Sequence, residues 1–270
     1  MKPFYILKIG GSVATHKDNT EHTVRTQLLK ETFTLLAQSI KEKPMNIIIV
    51  HGAGGHIHHL AHSYQLSSGT CGNKKKEAEA RHTQEAVTKL HEEIIALGKE
   101  AGLPLYSIPT HTVLTQKDTD IEAFNLAHIH TAISNKQIPV LSGDIVTDSA
   151  LGMSVCSGDT LVSHLTTLFP IAHILFASDV DGVYTKDPHT NPDAQLLPEL
   201  TLSELEHKTC LSTSHNKDVT GGLQGKMQSC MNLFTTSNTL KEIHIFNGLQ
   251  SNNLKKVLQE VPFPHTCITS

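Results

Sequence analysis

The sequence predicts an α/β fold, a three-layer αβα sandwich around a mostly parallel central sheet. Two observations predict it: short apolar runs rich in Ile and Val alternate with amphipathic helical patterns, and the connections between successive runs are long enough to be crossovers. Such alternation joins parallel strands and covers both faces of their sheet with helices, and ligands then gather beyond the carboxyl ends of the strands. The junctions where strands end are therefore where chemistry is to be sought.

Apolar runs at 4–9, 46–50, 105–108, 138–141, 171–177 and 243–246 fit buried strands. Between them, Val24, Leu28, Phe33, Leu36 and Ile40 fall on roughly one face of a first helix. Ala86, Leu90, Ile94 and Leu97 repeat the i, i+4 spacing in a second, which the pattern places at about 76–102. No internal repeat, low-complexity tract or linker interrupts this order. Two segments read as mobile surface: 67–76, which ends in three consecutive lysines, and 211–220, dense in Ser, Thr, Asn and His.

With 270 residues, 38% of them hydrophobic, the chain has material for a sizeable core. Its 22 Lys and Arg against 26 Asp and Glu leave a net charge of −4, so no general basic surface exists to collect nucleic acid or anionic lipid. Any anion must be held by a local site. The five cysteines, Cys71, Cys156, Cys210, Cys230 and Cys267, are odd in number, scattered and without a C-x-x-C pair, and read as reduced thiols. The apolar run at 3–7 is too short for a signal peptide and none approaches a membrane span, so a cytoplasmic protein with no nucleic-acid or membrane partner is expected. The 19 histidines bear on solubility in mild acid rather than on function.

Five junctions carry chemistry. In Lys8-Ile9-Gly10-Gly11-Ser12 a lysine ends a strand and two glycines follow, which suits backbone N–H groups and a point charge around a phosphate, or simply a tight turn. Neither the dinucleotide nor the Walker glycine spacing is present. A second glycine loop, Val50-His51-Gly52-Ala53-Gly54-Gly55-His56-Ile57-His58-His59, could cradle another anion. His58 and His62 stand at i, i+4, but without the glutamate of HExxH, and His56, His59 and His62 read as chance clustering.

Ser142-Gly143-Asp144 and Ser157-Gly158-Asp159 follow short apolar runs. Asp159 either orients lysines or caps the helix that opens there. The stretch from Ala177 through Asp179, Asp181, Tyr184 and Lys186 to Pro188 is a hairpin-like loop or a nucleoside contact. Finally, Asp218-Val219-Thr220-Gly221-Gly222-Leu223-Gln224-Gly225-Lys226 ends a glycine loop in a lysine at a helix start.

Taken in order, Lys-Ile-Gly-Gly-Ser, His-Gly-x-Gly, Ser-Gly-Asp, Asp-Val-Asp-Gly-Val-Tyr and Thr-Gly-Gly-x-x-x-Lys resemble the amino acid kinase superfamily over about 8–247. Lys17 after Gly-Gly-Ser-Val-Ala-Thr-His, His58 closing the second loop, and the Asp-Val-Thr-Gly-Gly segment are most similar to the isopentenyl phosphate kinase branch. That branch commonly reads His-Gly-Gly-Gly-Ser-Phe-Gly-His in the second loop. Here Ala53, Gly55-His56-Ile57, His59 and Leu223 depart from the pattern, which bears on acceptor shape more than on phosphate chemistry.

The resemblance implies one amino acid kinase-like domain over 1–270, its N-terminal part binding the acceptor phosphate and its C-terminal part ATP. It implies transfer of the ATP γ-phosphoryl to a small phosphate monoester, isopentenyl phosphate first, a phosphonate such as fosfomycin second, with a non-catalytic nucleotide sensor as the remaining alternative. Lys8, Lys17, Asp159 and Lys226 are the implied catalytic set, Asp159 holding Lys8 and Lys226. Ala53, Gly54, His58 and Gly158 are the implied acceptor-binding residues. Lys8, Gly10, Gly11, Ser12, Gly54, Asp179, Tyr184, Lys186, Gly222 and Lys226 are the implied ATP-binding residues. No metal-ligating residue is assigned, magnesium being expected to ride on the nucleotide phosphates. An apolar slot for the acceptor is expected between the helix near Ala86 and the segment after Gly143, and a homodimer is the expected assembly.

Overall fold

The computed structural model describes residues 3–16, 23–188, 190–205 and 223–270, with the backbone alone at 223–227. The six expected strands form: β1 (Phe4–Ile9), β2 (Asn46–His51), β3 (Leu105–Ser107), β6 (Ile138–Ser142), β9 (Ile171–Ser178) and β11 (Glu242–Asn247). Together with β10 (Glu199–Thr201) and β12 (Thr266–Thr269) they make an eight-stranded sheet in the order β10-β12-β11-β9-β1-β2-β6-β3. Its pairings are parallel except β11 with β12.

Side chains alternate across this sheet, so β1 divides its residues between two cores. Tyr5, Leu7 and Ile9 face the short α1 (Gly11–Ala14), α2 (Thr26–Glu42), α4 (Lys74–Glu100) and α8 (Asn252–Leu258), where Val13, Phe33, Leu36, Leu90, Ile94 and Leu254 are buried. Ile6 faces the other side with Ile48 and Val50, against α5 (Ala127–Ser134), α6 (Gly158–Leu168) and α7 (Leu223–Thr236), through Ile129, Leu161, Leu165 and Leu233. Burying each such side chain contributes about 1.5–3 kcal/mol, and truncating fully buried Phe33 to Ala costs about 3–5 kcal/mol. Three layers result, as expected.

The remaining strands form a second sheet, β5 (Asp120–Phe124), β4 (Leu114–Lys117), β7 (Asp144–Asp148) and β8 (Gly152–Cys156), in that order. Asp148 ties it together. Its carboxylate accepts from the amides of Asp118 at 3.1 Å, Thr119 at 2.9 Å, Ala150 at 3.0 Å and Leu151 at 2.9 Å, and from the Ser154 hydroxyl at 2.9 Å. Burial opposes the charge, but these donors outweigh it and draw the carboxyl down to about 2.

Segment 67–76 is mostly exposed, as expected of surface, and it carries a 3₁₀ turn at Leu66–Ser68 and, from Lys74, the start of α4, whose cap Asn73 accepts from the amides of Lys75 and Lys76 at 3.0 and 3.2 Å. One expectation is corrected: Val24 precedes α2 and instead bridges Thr15. The segment 211–220 lies outside the described residues. The four described cysteines are free thiols. Among the described residues, no helix is long and apolar enough to cross a membrane.

Candidate active site

Three parallel strands end side by side, and their loops meet. Lys8 is level with Val50 on β2 and Phe176 on β9, on the same sheet face as Ile6. Just beyond it the Gly10 amide donates to Ala177 at 2.8 Å, the Gly52 amide to Ile9 at 2.9 Å and the Gly143 amide to His51 at 3.0 Å. Each loop is thereby fixed to the end of its neighbour's strand.

The two glycine loops touch backbone to backbone. A Cβ at Gly11 would stand 2.7 Å from the Gly54 nitrogen, and one at Gly52 would stand 2.6 Å from the Gly11 nitrogen. Any side chain at either position would drive the loops apart. Gly54 also takes φ of +79°, a conformation disfavoured for L side chains. From it runs α3 (Gly54–Ser63), with Thr15 below, whose hydroxyl accepts from the Gly55 amide at 3.1 Å.

These loops open on a cavity of about 980 Å³ lined by Lys8, Gly10, Gly11, Ser12, Gly54, His58 and Asp159 among the predicted residues. Lys8 Nζ lies 3.0 Å from Asp159 Oδ1, joining β1 to the first turn of α6. Gly158 sits over the Lys8 stem, its absent Cβ 3.7 Å from Lys8 Cε, and Ala53 precedes α3 at its N-cap. The helix cap of α6 is Ser157, whose Oγ accepts from the Thr160 amide at 3.0 Å, so the capping alternative for Asp159 is overturned. Asp159 is the one carboxylate among the described lining residues, and Lys8 already engages it. The amino ends of α3 and α6 both reach the cavity, and helix amino ends favour anions.

His58 stands one turn into α3 at the cavity rim. Its side chain reaches solvent, yet desolvation by the surrounding walls, and then the Lys8 charge, hold the imidazole below its ordinary range. His59 and His62 point to solvent.

Three further predicted residues, which follow β9, lie outside the cavity lining. Asp179, Tyr184 and Lys186 are not among the described lining residues of the cavity. Tyr184 donates to Asp181 at 3.0 Å, Asn247 donates to the same carboxylate at 3.2 Å, and Lys186 pairs with Asp193 at 2.6 Å. Lys17, Gly222 and the side chain of Lys226 lie outside the described residues. Sequence reasoning missed Thr160 and Ser163 on α6 and Ser229 and Asn232 on α7, all lining the cavity. Ser163 had a signal, standing four residues after Asp159 on one helix face; Ser229 and Asn232 had none.

Residues 3–247 match the sequence model of the amino acid kinase family, and the chain belongs to that family. Within it, the chain is 30% identical to an isopentenyl phosphate kinase of Methanothermobacter thermautotrophicus over 94% of each chain. It is 27% identical to one from Methanocaldococcus jannaschii, again over 94% of each. A crystallographic isopentenyl phosphate kinase superposes with a TM-score of 0.80 at 26% identity, covering 98% of this chain and 99% of that one.

Proposed function

We propose that this chain transfers the γ-phosphoryl group of ATP to a small phosphate monoester, isopentenyl phosphate, giving isopentenyl diphosphate. The Lys8–Asp159 pair set beside two interlocked glycine loops in one cavity carries the reading, and the similarity to isopentenyl phosphate kinases supports it.

The acceptor's phosphate oxygen is already ionised, so no general base is needed. The obstacle is repulsion, since two unit charges about 4 Å apart cost roughly 4 kcal/mol at an effective dielectric of 20. Fixed cations and amides relieve it most where charge develops in the transition state. Lys8, with Lys226, takes the β and γ phosphates; Asp159 orients the ammonium groups; Gly10, Gly11, Gly54 and Gly222 present backbone donors, with Ser12 beside them. Lys17 meets the acceptor phosphate or the transferring group. His58, with Ala53, Gly54 and Gly158 around it, receives the acceptor phosphate, while Asp179, Tyr184 and Lys186 attend the nucleoside.

Magnesium, when bound, neutralises charge on the ATP phosphates. A cavity whose one described carboxylate is occupied by Lys8 suits an ion carried by the nucleotide better than one caged by protein.

For the acceptor's organic part we assign the small cluster of Leu66, Ala80 and Ile145, partly covered by Ala61, Tyr64 and Met153. His58 and Ala61 stand one turn apart on α3, so a short tail can run from phosphate to cluster. Gln84 closes the region from α4, donating to the Ile145 carbonyl at 2.6 Å. The cluster lies in the region, between that helix and the segment after Gly143, where the slot is expected.

The test is a panel of acceptors with ATP and magnesium, products read by phosphorus NMR. Isopentenyl phosphate should be converted, with free isopentenol, glutamate, acetylglutamate and uridylate poor. Fosfomycin far outcompeting isopentenyl phosphate would overturn the acceptor, and bound ATP with no transfer to any acceptor would overturn the enzyme in favour of a sensor.

A further inference from the structure

We propose that His173, Glu242 and His244 bind one zinc-class divalent cation at the end of the sheet remote from the phosphate cavity. His173 is far in sequence from Glu242 and His244, and the three meet through register. Glu242 on β11 pairs directly with His173 on β9, and His244, two residues on, shares the same face. His173 precedes Ala177, at the cavity, by four residues of β9, or about 13 Å of strand.

The spacing suits a metal. His173 Nδ1 and His244 Nε2 each lie 3.2 Å from Glu242 Oε2, and one ligand atom from each residue lies within 4.8 Å of the other two. Ligand atoms about 2.0–2.1 Å from a tetrahedral ion stand about 3.3 Å apart, so the cluster needs little rearrangement. Two imidazoles and one carboxylate with a fourth position left for water is a donor set for first-row divalent ions rather than magnesium or calcium.

The hydrogen-bond chain behind His244 supplies an independent argument. The Phe263 carbonyl can only accept, so at 3.0 Å it takes the proton of His265 Nδ1. The Nε2 of a neutral His265 is then an acceptor, and His244 Nδ1, 3.3 Å away, must donate to it. A neutral His244 consequently turns the lone pair of Nε2 toward the Glu242 carboxylate. Lone pair against anion at 3.2 Å repels unless a cation stands between them. His265 thereby does for His244 what outer partners do for metal-bound imidazoles, fixing tautomer and ring orientation. Tyr5, stacked on His173 with ring centroids 4.6 Å apart, holds the other ring.

The experiment uses untagged, metal-stripped protein titrated with Co²⁺ and Zn²⁺. One equivalent of Co²⁺ should bind with a tetrahedral ligand-field spectrum and be displaced by Zn²⁺, and Zn²⁺ should raise Tm. Glu242→Gln and His244→Gln should each weaken binding at least tenfold, without lowering phosphoryl transfer, whereas His59→Ala with His62→Ala should leave it intact. Zinc-edge X-ray absorption on the wild-type protein needs no variant and should show two imidazoles in a four-coordinate shell. Absence of stoichiometric binding, a shell without two imidazoles, or loss of binding only in the His59/His62 variant would overturn the site and leave the cluster an ordinary hydrogen-bonded ion pair.

Discussion

The buried imidazoles of His51 and His91 are joined by a hydrogen bond of 2.9 Å directly behind the second glycine loop. The Gly52 carbonyl takes the His51 Nδ1 proton at 3.1 Å, so His51 Nε2 accepts from His91 Nδ1, and His91 Nε2 accepts from the Ser107 hydroxyl at 2.9 Å. Burial drives both rings toward neutrality, His51 to about 4 and His91 to about 3. The unfolded rings titrate near 6.5, so the unfolded chain takes up protons first. Their contribution to stability is full above about pH 6.5 and is lost as pH falls toward 4 and then 3. Tm followed from pH 7.5 to 4.5 should drop, and the drop should be shallower in His91→Phe; parallel curves would refute this.

Lys8 and Asp159 form a pair with one end open to water, the Asp159 side chain 59% exposed. Such pairs contribute about 0–1 kcal/mol to stability. Lys8→Ala and Asp159→Asn should therefore melt within a few degrees of wild type. Lys8→Ala should nonetheless lower kcat/KM at least about a hundredfold, since charges fixed on a transferring phosphoryl group contribute a few kcal/mol. Asp159→Asn should lower kcat more than ATP affinity. Steady-state kinetics with nucleotide titration decides, and wild-type rates in either folded variant would remove it from the site.

His58 is held toward the neutral form in the free protein. An acceptor phosphate favours the charged form, so its binding should be accompanied by proton uptake at this ring. His58→Gln should raise the acceptor KM while leaving ATP affinity within a few-fold. The wild-type advantage over the variant should grow as pH is lowered from 8 toward 6. A constant ratio across that range would show that the ring's protonation plays no part.

Asp148→Asn should destabilise the protein by about 2–4 kcal/mol, because an amide keeps one acceptor oxygen and sets its NH2 either against the three backbone donors on Oδ1 or against the Thr119 amide on Oδ2. Its carboxyl is held below the unfolded value of 3.8, so its contribution is present above that pH and is lost as pH falls through about 2. Denaturant unfolding at pH 7 and pH 3 measures both. A variant as stable as wild type at pH 7 would show the cluster of bonds to be idle.

Six strands and both long helices were legible because the information is local. Fully buried strands read as unbroken apolar runs, and α4 repeats its buried side at Val87, Leu90 and Ile94. The second sheet was not legible. Its strands are short, and β5 is exposed or half-buried throughout, with charges at Asp120 and Glu122, so no apolar run marks it. Asp148 gives no sign of its task in sequence, since its partners at 118, 119, 150, 151 and 154 are mostly backbone amides.

By itself the sequence determined the alternation of strands and helices, the placing of glycines where loops must approach closely, and the chemical types waiting at each strand end. These depend on near neighbours and on the periods of 2 and 3.6 residues. Only the tertiary structure decided which of those types meet. Asp159 could as well have capped its own helix until Ser157 was seen to do so and Lys8 to lie 3.0 Å away. The chain's many histidines look alike in sequence, yet one pair became a buried hydrogen-bonded pair behind the second glycine loop and another pair gathered on Glu242. The physical reason is register together with helix packing: parallel strands joined by long crossovers align residues scores of positions apart, and a shift of one residue would send Lys8, His51, His173, Glu242 and His244 each to the opposite sheet face, away from their partners.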